Sequence, residues 1–233
     1  MKKTKDKKNV VTVAQTPGIG VPEVAVGNPE VVQETLAEQS AEDIVWPKEA
    51  FENTHGKEVR VAILSEDGFE EVELTKPKKA LEEAGARVDI VSPHGGKIKA
   101  WDKTDWGHDV KVDVTLNDAN ANDYDALVLP GGVMNPDKLR QNVDAILFVR
   151  QFIRSGKLVA AICHGPQTLI ETGMIEGKTM TSYSSLQTDL KNAGVNWVDK
   201  EMVHYGQFIT SRKPADLRAF NKEILYALSL PEH

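Results

Sequence analysis

The chain has 233 residues, 40% of them hydrophobic, and a formal net charge of -7 at neutral pH. It is long enough to bury one sizeable core, and its acidic balance gives no general footprint for nucleic acid or an anionic membrane. No apolar run approaches the roughly 18 residues of a membrane span. One cysteine excludes an internal disulfide, which is typical of a reducing compartment. These features predict a cytoplasmic protein without a membrane or nucleic-acid partner.

The first 56 residues differ from the rest of the chain. Between Lys8 and Lys48 there is no lysine or arginine, and turn-forming residues are frequent. The lysine-rich start is followed by an apolar stretch, "VVTVA", that is shorter than the ~7–15 residues of a signal peptide. We therefore predict an N-terminal arm at 1–56, either unpacked or lying on a partner subunit. A folded domain is predicted at 57–233.

From Val59 onward, apolar strands alternate with helical patterns. Such strands alternating with helices indicate a mostly parallel sheet covered on both faces. A loop-and-hairpin region interrupts the alternation at 93–116. The predicted strands are 59–65, 87–92, 124–132 and 157–163, and the predicted helices are 71–86, 136–156, 164–173 and 214–230.

The only cysteine, Cys163, lies in "LVAAICHGPQTL", where an apolar strand gives way to a helix. Small residues, Ala161 and Gly165, stand two positions to either side, which is the spacing of a nucleophile elbow. A helix N-terminus favours a thiolate, so the spacing predicts a lowered thiol pKa. The alternative is a buried structural cysteine.

Three motifs carry a family resemblance: "GFEEVEL" after the first strand, "DALVLPGG", and "AICHGPQTLI". Together they resemble the PfpI family of the class I glutamine amidotransferase-like superfamily, to which the parkinsonism-associated deglycase also belongs. The resemblance covers about residues 58–230. It implies an α/β, flavodoxin-like three-layer sandwich with a nucleophile elbow. It also implies a homodimer or hexamer with sites near the subunit interface.

The same resemblance assigns two glutamates to the thiol. Glu73 matches a buried glutamate that contacts the nucleophile sulfur, and Glu70 matches a second glutamate nearby. Because a carboxylate beside a thiolate would raise the thiol pKa, Glu73 is expected to be protonated and to donate a hydrogen bond to sulfur. The alternative is an acidic first helical turn exposed to solvent.

The remaining site residues also follow from the resemblance. His164 is the expected base, and Asp137 matches an acid that pairs with this histidine from a neighbouring subunit. The N–H groups of Gly132 and His164 would form an oxyanion hole. Gly131 and Tyr183 would line the substrate pocket. The alternatives are structural roles: glycines in tight turns, an aspartate at a helix start and a half-buried tyrosine.

A metal or other cofactor is not expected. Asp102, Asp105, His108 and Asp109 are close in sequence, but their spacing matches no EF-hand or zinc pattern. No dinucleotide-binding or P-loop glycine motif is present either.

Together with the elbow spacing, the resemblance implies a cysteine-dependent enzyme that protects against reactive carbonyls or glyoxal-type adducts, using the Cys163 thiolate. Small carbonyl compounds or modified proteins and peptides would be its substrates. Two alternatives stay open. One is an intracellular cysteine peptidase that forms an acyl-enzyme with the same thiolate. The other is a redox sensor or chaperone whose thiol is oxidised to sulfinic acid.

Overall fold

The structure is a computed structural model that describes residues 58–230. The arm predicted at 1–56 lies outside the described residues. The strands of the described part form three sheets. They are β1 (Arg60–Leu64), β2 (Phe69–Glu70), β3 (Arg87–Ser92), β4 (Lys97–Asp102), β5 (Asp105–Lys111), β6 (Val114–Thr115), β7 (Ala126–Leu129), β8 (Leu158–Ile162), β9 (Thr179–Met180), β10 (Asn196–Trp197), β11 (Met202–Tyr205) and β12 (Phe208–Ser211).

The central sheet has seven strands in the order β11-β12-β8-β7-β1-β3-β6. All neighbouring pairs are parallel except β11 and β12, which are antiparallel. A smaller sheet, β2-β4-β5, contains the predicted hairpin, and β9 pairs with β10. The predicted mostly parallel sheet is confirmed.

Helices cover both faces of this sheet. They are α1 (Glu71–Glu83), α2 (Met134–Gln141), α3 (Val143–Arg154), α4 (Pro166–Ile170), α5 (Gln187–Asn192) and α6 (Leu217–Ser229). Among residues 58–230, none of the helices has the length and apolar content needed to cross a membrane.

Two hydrophobic cores, one on each face of the central sheet, lie between the sheet and the helices that cover it. Along β1, Val61 and Ile63 face one core, which contains Phe220 of α6. Ala62 and Leu64 face the other, which contains residues of α3. Because side chains alternate along a strand, the continuous apolar run of β1 serves both cores at once. The result is the three-layer sandwich that the sequence predicts.

One predicted helix is in fact two. The pattern at 136–156 predicts a continuous helix, but α2 and α3 are separated at Asn142, whose backbone is extended at φ -90° and ψ 113°. The Asn142 side chain accepts a hydrogen bond from the Ala145 backbone N–H at 3.0 Å. It thus caps α3, as asparagine favours. The break separates α2, which follows the loop after β7, from α3.

Candidate active site

Cys163 occupies a strained turn between β8 and α4. Its φ is 61°, in the left-handed region that residues other than glycine rarely adopt. Two hydrogen bonds fix this backbone: the Cys163 N–H donates to the Ser211 carbonyl at 3.0 Å, and the Cys163 carbonyl accepts from the Tyr183 N–H at 2.8 Å. Such strain persists where the surroundings over-determine it, often at functional sites. The nucleophile elbow of the sequence analysis is therefore present.

Two glycines allow the loops around the elbow to approach closely. A Cβ at Gly165 would lie 2.4 Å from the Leu129 carbonyl oxygen. A Cβ at Gly131 would lie 2.5 Å from Glu73 Oε2 and 2.7 Å from Cys163 Cβ. Larger residues would therefore push the loop after β7 away from the thiol. Since β7 and β8 are neighbours in the sheet, their carboxyl ends bring this loop and the elbow together.

Glu73 is fully buried beside the thiol. Its Oε2 accepts a hydrogen bond from the Gly131 N–H at 3.0 Å. Its Oε1 is buried and has no well-aligned donor among the described residues, while the carboxyl interacts with the Cys163 side chain. Burial raises the Glu73 pKa to about 8. At neutral pH the carboxyl is therefore mostly protonated, and a protonated carboxyl can donate a hydrogen bond to the sulfur beside it.

The thiol pKa is not lowered as the sequence predicts. Burial has the largest effect on the pKa of Cys163 and raises it, and the negative charge of ionised Glu73 raises it further. The N–H groups of Gly132 and His164 act in the opposite direction and lower it. Cys163 is only 6% exposed, so desolvation outweighs the short helix behind it. The two side chains titrate as a pair. When Glu73 holds the proton, its repulsion is absent and its hydroxyl can stabilise the thiolate.

The ring of His164 lies directly against the nucleophile. Cys163 Sγ is 3.3 Å from His164 Nδ1. The other ring nitrogen, Nε2, is 3.2 Å from Ser185 Oγ. Tyr183 stacks on the imidazole with 4.7 Å between ring centroids. Burial lowers the pKa of His164, so the ring is neutral at pH 7 and can accept a proton.

The two N–H groups that the resemblance assigns to an oxyanion hole both reach the thiol. The backbone N–H groups of Gly132 and His164 donate to the sulfur of Cys163. That the same N–H groups form an oxyanion hole for an attacked carbonyl stays a prediction.

Glu70 stands at the start of α1, where the β4–β5 hairpin meets the site. The backbone N–H of Lys103, at the hairpin turn, donates to its carboxylate. Burial, and then the charge of Asp102, raise the Glu70 pKa, and the Glu70 charge in turn acts on Glu73. The structure thus brings Glu70, Glu73, Gly131, Gly132, His164 and Tyr183 together around Cys163.

Asp137 is placed differently. It lies in the first turn of α2 and is exposed. Its carboxylate accepts a hydrogen bond from Gln141 Nε2 at 3.3 Å. Within the protomer the His164 nitrogens face Cys163 and Ser185 instead. Pairing of Asp137 with a histidine of another subunit stays a prediction.

Asn135 is a buried residue of the site region that the sequence analysis missed. Its Nδ2 donates to the carbonyls of Pro130 and Gly131, and its Oδ1 accepts from the Glu66 N–H at 2.8 Å. It therefore ties the loop after β7 to the loop after β1. A lone asparagine just before a predicted helix gives no sequence signal for this role.

A second cluster, also missed, lies at the neighbouring strand ends. The ligand-type atoms of Glu66, Asp67 and His94 lie within 4.8 Å of one another. The Lys138 ammonium is 3.6 Å from Glu66 and 3.5 Å from Asp67, so a protein cation already balances these carboxylates. The adjacency of β1 and β3 could have suggested this cluster. Of the four residues weighed for a metal above, His108 instead bonds Glu71.

Comparison with known proteins agrees with the motifs. The family model described as the DJ-1/PfpI family matches residues 59–227. "Putative cysteine protease YraA" of Bacillus subtilis is 44% identical over 72% of this chain and 98% of its own length. "Deglycase PfpI" of Pyrococcus furiosus is 42% identical over 73% of this chain and 99% of its own.

A solved structure agrees with the fold. Drosophila melanogaster DJ-1beta superposes with a TM-score of 0.68 at 30% identity, covering 74% of this chain and 91% of that one. The resemblance inferred from three short motifs is thereby confirmed.

The match begins at residue 59, which bears on the N-terminal segment. We expect a chain that starts near Gly56 to fold and to keep its thiol chemistry, because the matched domain follows that point. The oligomer size is expected to change if the segment contacts a partner subunit. Thermal unfolding, iodoacetamide reactivity and sedimentation of the truncated and full chains measure these outcomes. An insoluble truncated chain would show that the segment belongs to the folded core.

Proposed function

Since the chain belongs to the DJ-1/PfpI family, we propose that it is a cysteine-dependent enzyme acting on reactive carbonyls or glyoxal-type adducts. Cys163 is its nucleophile, and the role is protective. A relative 42% identical to the chain is named a deglycase, which supports this reading. The chain needs no cofactor for this chemistry in our proposal.

The observation that carries the proposal is the pairing of Cys163 with the fully buried carboxyl of Glu73. Glu73, with its pKa near 8, offers sulfur a proton rather than a negative charge. The N–H groups of Gly132 and His164 also face the sulfur. The strained backbone of Cys163 holds the thiol against these groups. A structural cysteine needs none of these partners.

For methylglyoxal the steps balance without an external oxidant. The sulfur adds to the aldehyde carbon, and the carbonyl oxygen takes a proton, which gives a hemithioacetal. A base removes the C1 proton and an acid returns a proton to C2, so C1 is oxidised while C2 is reduced. The product is a lactoyl thioester. Water cleaves the carbon–sulfur bond to give lactate and the free thiol. His164 and Glu70 are the groups we assign to these proton transfers.

A peptidase is the second candidate, supported by the name of the Bacillus relative. The same thiolate would attack a peptide carbonyl, and His164 would protonate the leaving amine. The two chemistries differ in the space they need at the site, because a peptide needs a longer groove than the three-carbon methylglyoxal.

The discriminating experiment is a substrate panel of methylglyoxal, glyoxal-treated peptide and unmodified casein, with lactate, free amine and new peptide termini as products. The proposal expects turnover of methylglyoxal or the adducted peptide, and none by Cys163→Ala. Turnover of casein alone would favour the peptidase. If no substrate were turned over while peroxide converted Cys163 to sulfinic acid, the redox-sensor alternative would replace both.

We also propose that Asp137 acts on the His164 of a neighbouring subunit in a homodimer or hexamer. A carboxylate there would orient the imidazole and favour its protonated form. Asp137→Asn is expected to lower turnover about tenfold or more, the worth of one charge-assisted hydrogen bond, without disrupting assembly. Wild-type activity should fall on dilution below the assembly constant.

Subunit mixing tests this assignment. Mixed Asp137→Ala and His164→Ala subunits should regain activity, because some sites then receive both wild-type groups. A mixture of Cys163→Ala and His164→Ala is the control, since both groups belong to one protomer and no site can be completed. Absence of rescue in verified hybrids, or full activity of a monomer, would contradict the shared site.

A further inference from the structure

Ser185 is the one side chain that contacts the far nitrogen of His164 in the described part of the chain. Its Oγ lies 3.2 Å from His164 Nε2, on the opposite side of the ring from Cys163 Sγ. It follows the Tyr183 turn in the short 3-10 helix Ser184–Leu186. The sequence analysis did not single it out, because serine is frequent in turns.

The backbone holds Ser185 close to the elbow. The Tyr183 N–H donates to the Cys163 carbonyl at 2.8 Å, and the Leu186 N–H donates to the Tyr183 carbonyl at 3.0 Å. Leu186 itself is buried in a hydrophobic core. The Ser185 hydroxyl is therefore carried on a segment that is anchored on both sides, and the stacked Tyr183 ring fixes the plane of the imidazole.

We propose that Ser185 is a positioning residue that holds His164 in the tautomer protonated on Nε2. In this arrangement Ser185 Oγ accepts from the Nε2–H. The Nδ1 lone pair then points at Cys163 Sγ and can take the thiol proton. The inference rests on the proposed function, in which His164 is the base for Cys163.

A hydroxyl and a carboxylate at this position would have different effects on the charge of His164. It accepts the Nε2–H without adding negative charge, so it orients the ring but does not favour the imidazolium. This agrees with the lowered pKa of His164, whose only cause among the described residues is burial. The serine hydroxyl can also donate a second hydrogen bond. An acid from a neighbouring subunit could therefore act on His164 through Ser185.

The test compares three variants of one position. Ser185→Ala should lower the rate of iodoacetamide alkylation of Cys163 at pH 7 by about twofold to tenfold, the worth of one hydrogen bond. Ser185→Thr keeps a hydroxyl and should recover most of that loss. Ser185→Asp should raise the pKa of His164, since an anion favours the charged ring. NMR titration of the His164 Cε1 proton, assigned by its loss in His164→Gln, measures the pKa.

Ser184→Ala is the matched control, because Ser184 is an exposed neighbour on the same turn. It should leave alkylation and the His164 titration unchanged. Alkylation needs no substrate, so this test gives a result even if methylglyoxal turnover fails and the proposed function falls. If Ser185→Ala matched wild type in rate, or if Ser185→Asp left the pKa of His164 unmoved, the positioning role would be overturned.

Discussion

Replacing Cys163 by alanine is expected to reduce turnover of a methylglyoxal-type substrate by at least about 1,000-fold, because no other group can form the covalent intermediate. The fold should be retained. The side chain is small, and the elbow backbone is held by hydrogen bonds to the Ser211 carbonyl and from the Tyr183 N–H, neither of which involves sulfur. The free energy of unfolding should therefore change by about 1 kcal/mol. Lactate production and thermal unfolding measure the two effects.

Cys163→Gly is the informative companion variant. Glycine adopts positive φ without steric cost, so this change removes both the thiol and the strain at φ 61°. It should be as inactive as Cys163→Ala but at least as stable. Activity in either variant would end the nucleophile assignment. A Cys163→Gly chain clearly less stable than Cys163→Ala would mean that the strain relieved at this position is smaller than the extra conformational entropy that glycine loses on folding.

Much of the fold could be predicted because its signals are local. Apolar strand runs, helical periods and the glycines between them fix the layers, and the three motifs fall at strand ends. The break at Asn142 was missed because asparagine can either continue a helix or cap the next one, and only packing decides. The β4–β5 hairpin was located, but not its contact with Glu70, which depends on how the small sheet packs.

Most residues of the site could be identified from the sequence, but the direction of the thiol pKa shift could not. Sequence spacing identified Cys163, and the resemblance supplied Glu73 and His164. The sign of the thiol pKa shift could not be read from the sequence, because it depends on how deeply the elbow is buried. Ser185 and Asn135 are polar residues that lie outside the three motifs. Their contacts appear only once the loops are placed in space.

Glu73→Leu is expected to slow alkylation of Cys163 at pH 7 by about tenfold to 100-fold, the worth of a hydrogen bond to a charged group. Leucine cannot donate to the thiolate, and it leaves the Gly131 N–H without its partner. Glu73→Gln should lose far less. Its amide oxygen can accept from Gly131 while its NH₂ group donates to sulfur. Alkylation rate against pH, measured for each variant, reports the thiol pKa.

The same carboxyl predicts a pH dependence of stability. The Glu73 pKa is raised from about 4.5 to about 8 on folding, so the folded state binds its proton more tightly than the unfolded chain does. Its contribution is fully present below pH 4.5 and is lost as the pH rises through about 8. Between those limits, wild type should lose stability relative to Glu73→Gln, which carries no titrating group.

Glu83→Gln is the matched control, because Glu83 lies on the same helix with its side chain exposed to solvent. It should follow wild type in both the alkylation profile and the pH dependence of unfolding. Should Glu73→Gln and wild type show the same change in unfolding free energy from pH 5 to 8, Glu73 would be ionised in the folded state. Sulfur would then face a carboxylate, whose negative charge would disfavour the thiolate instead of stabilising it.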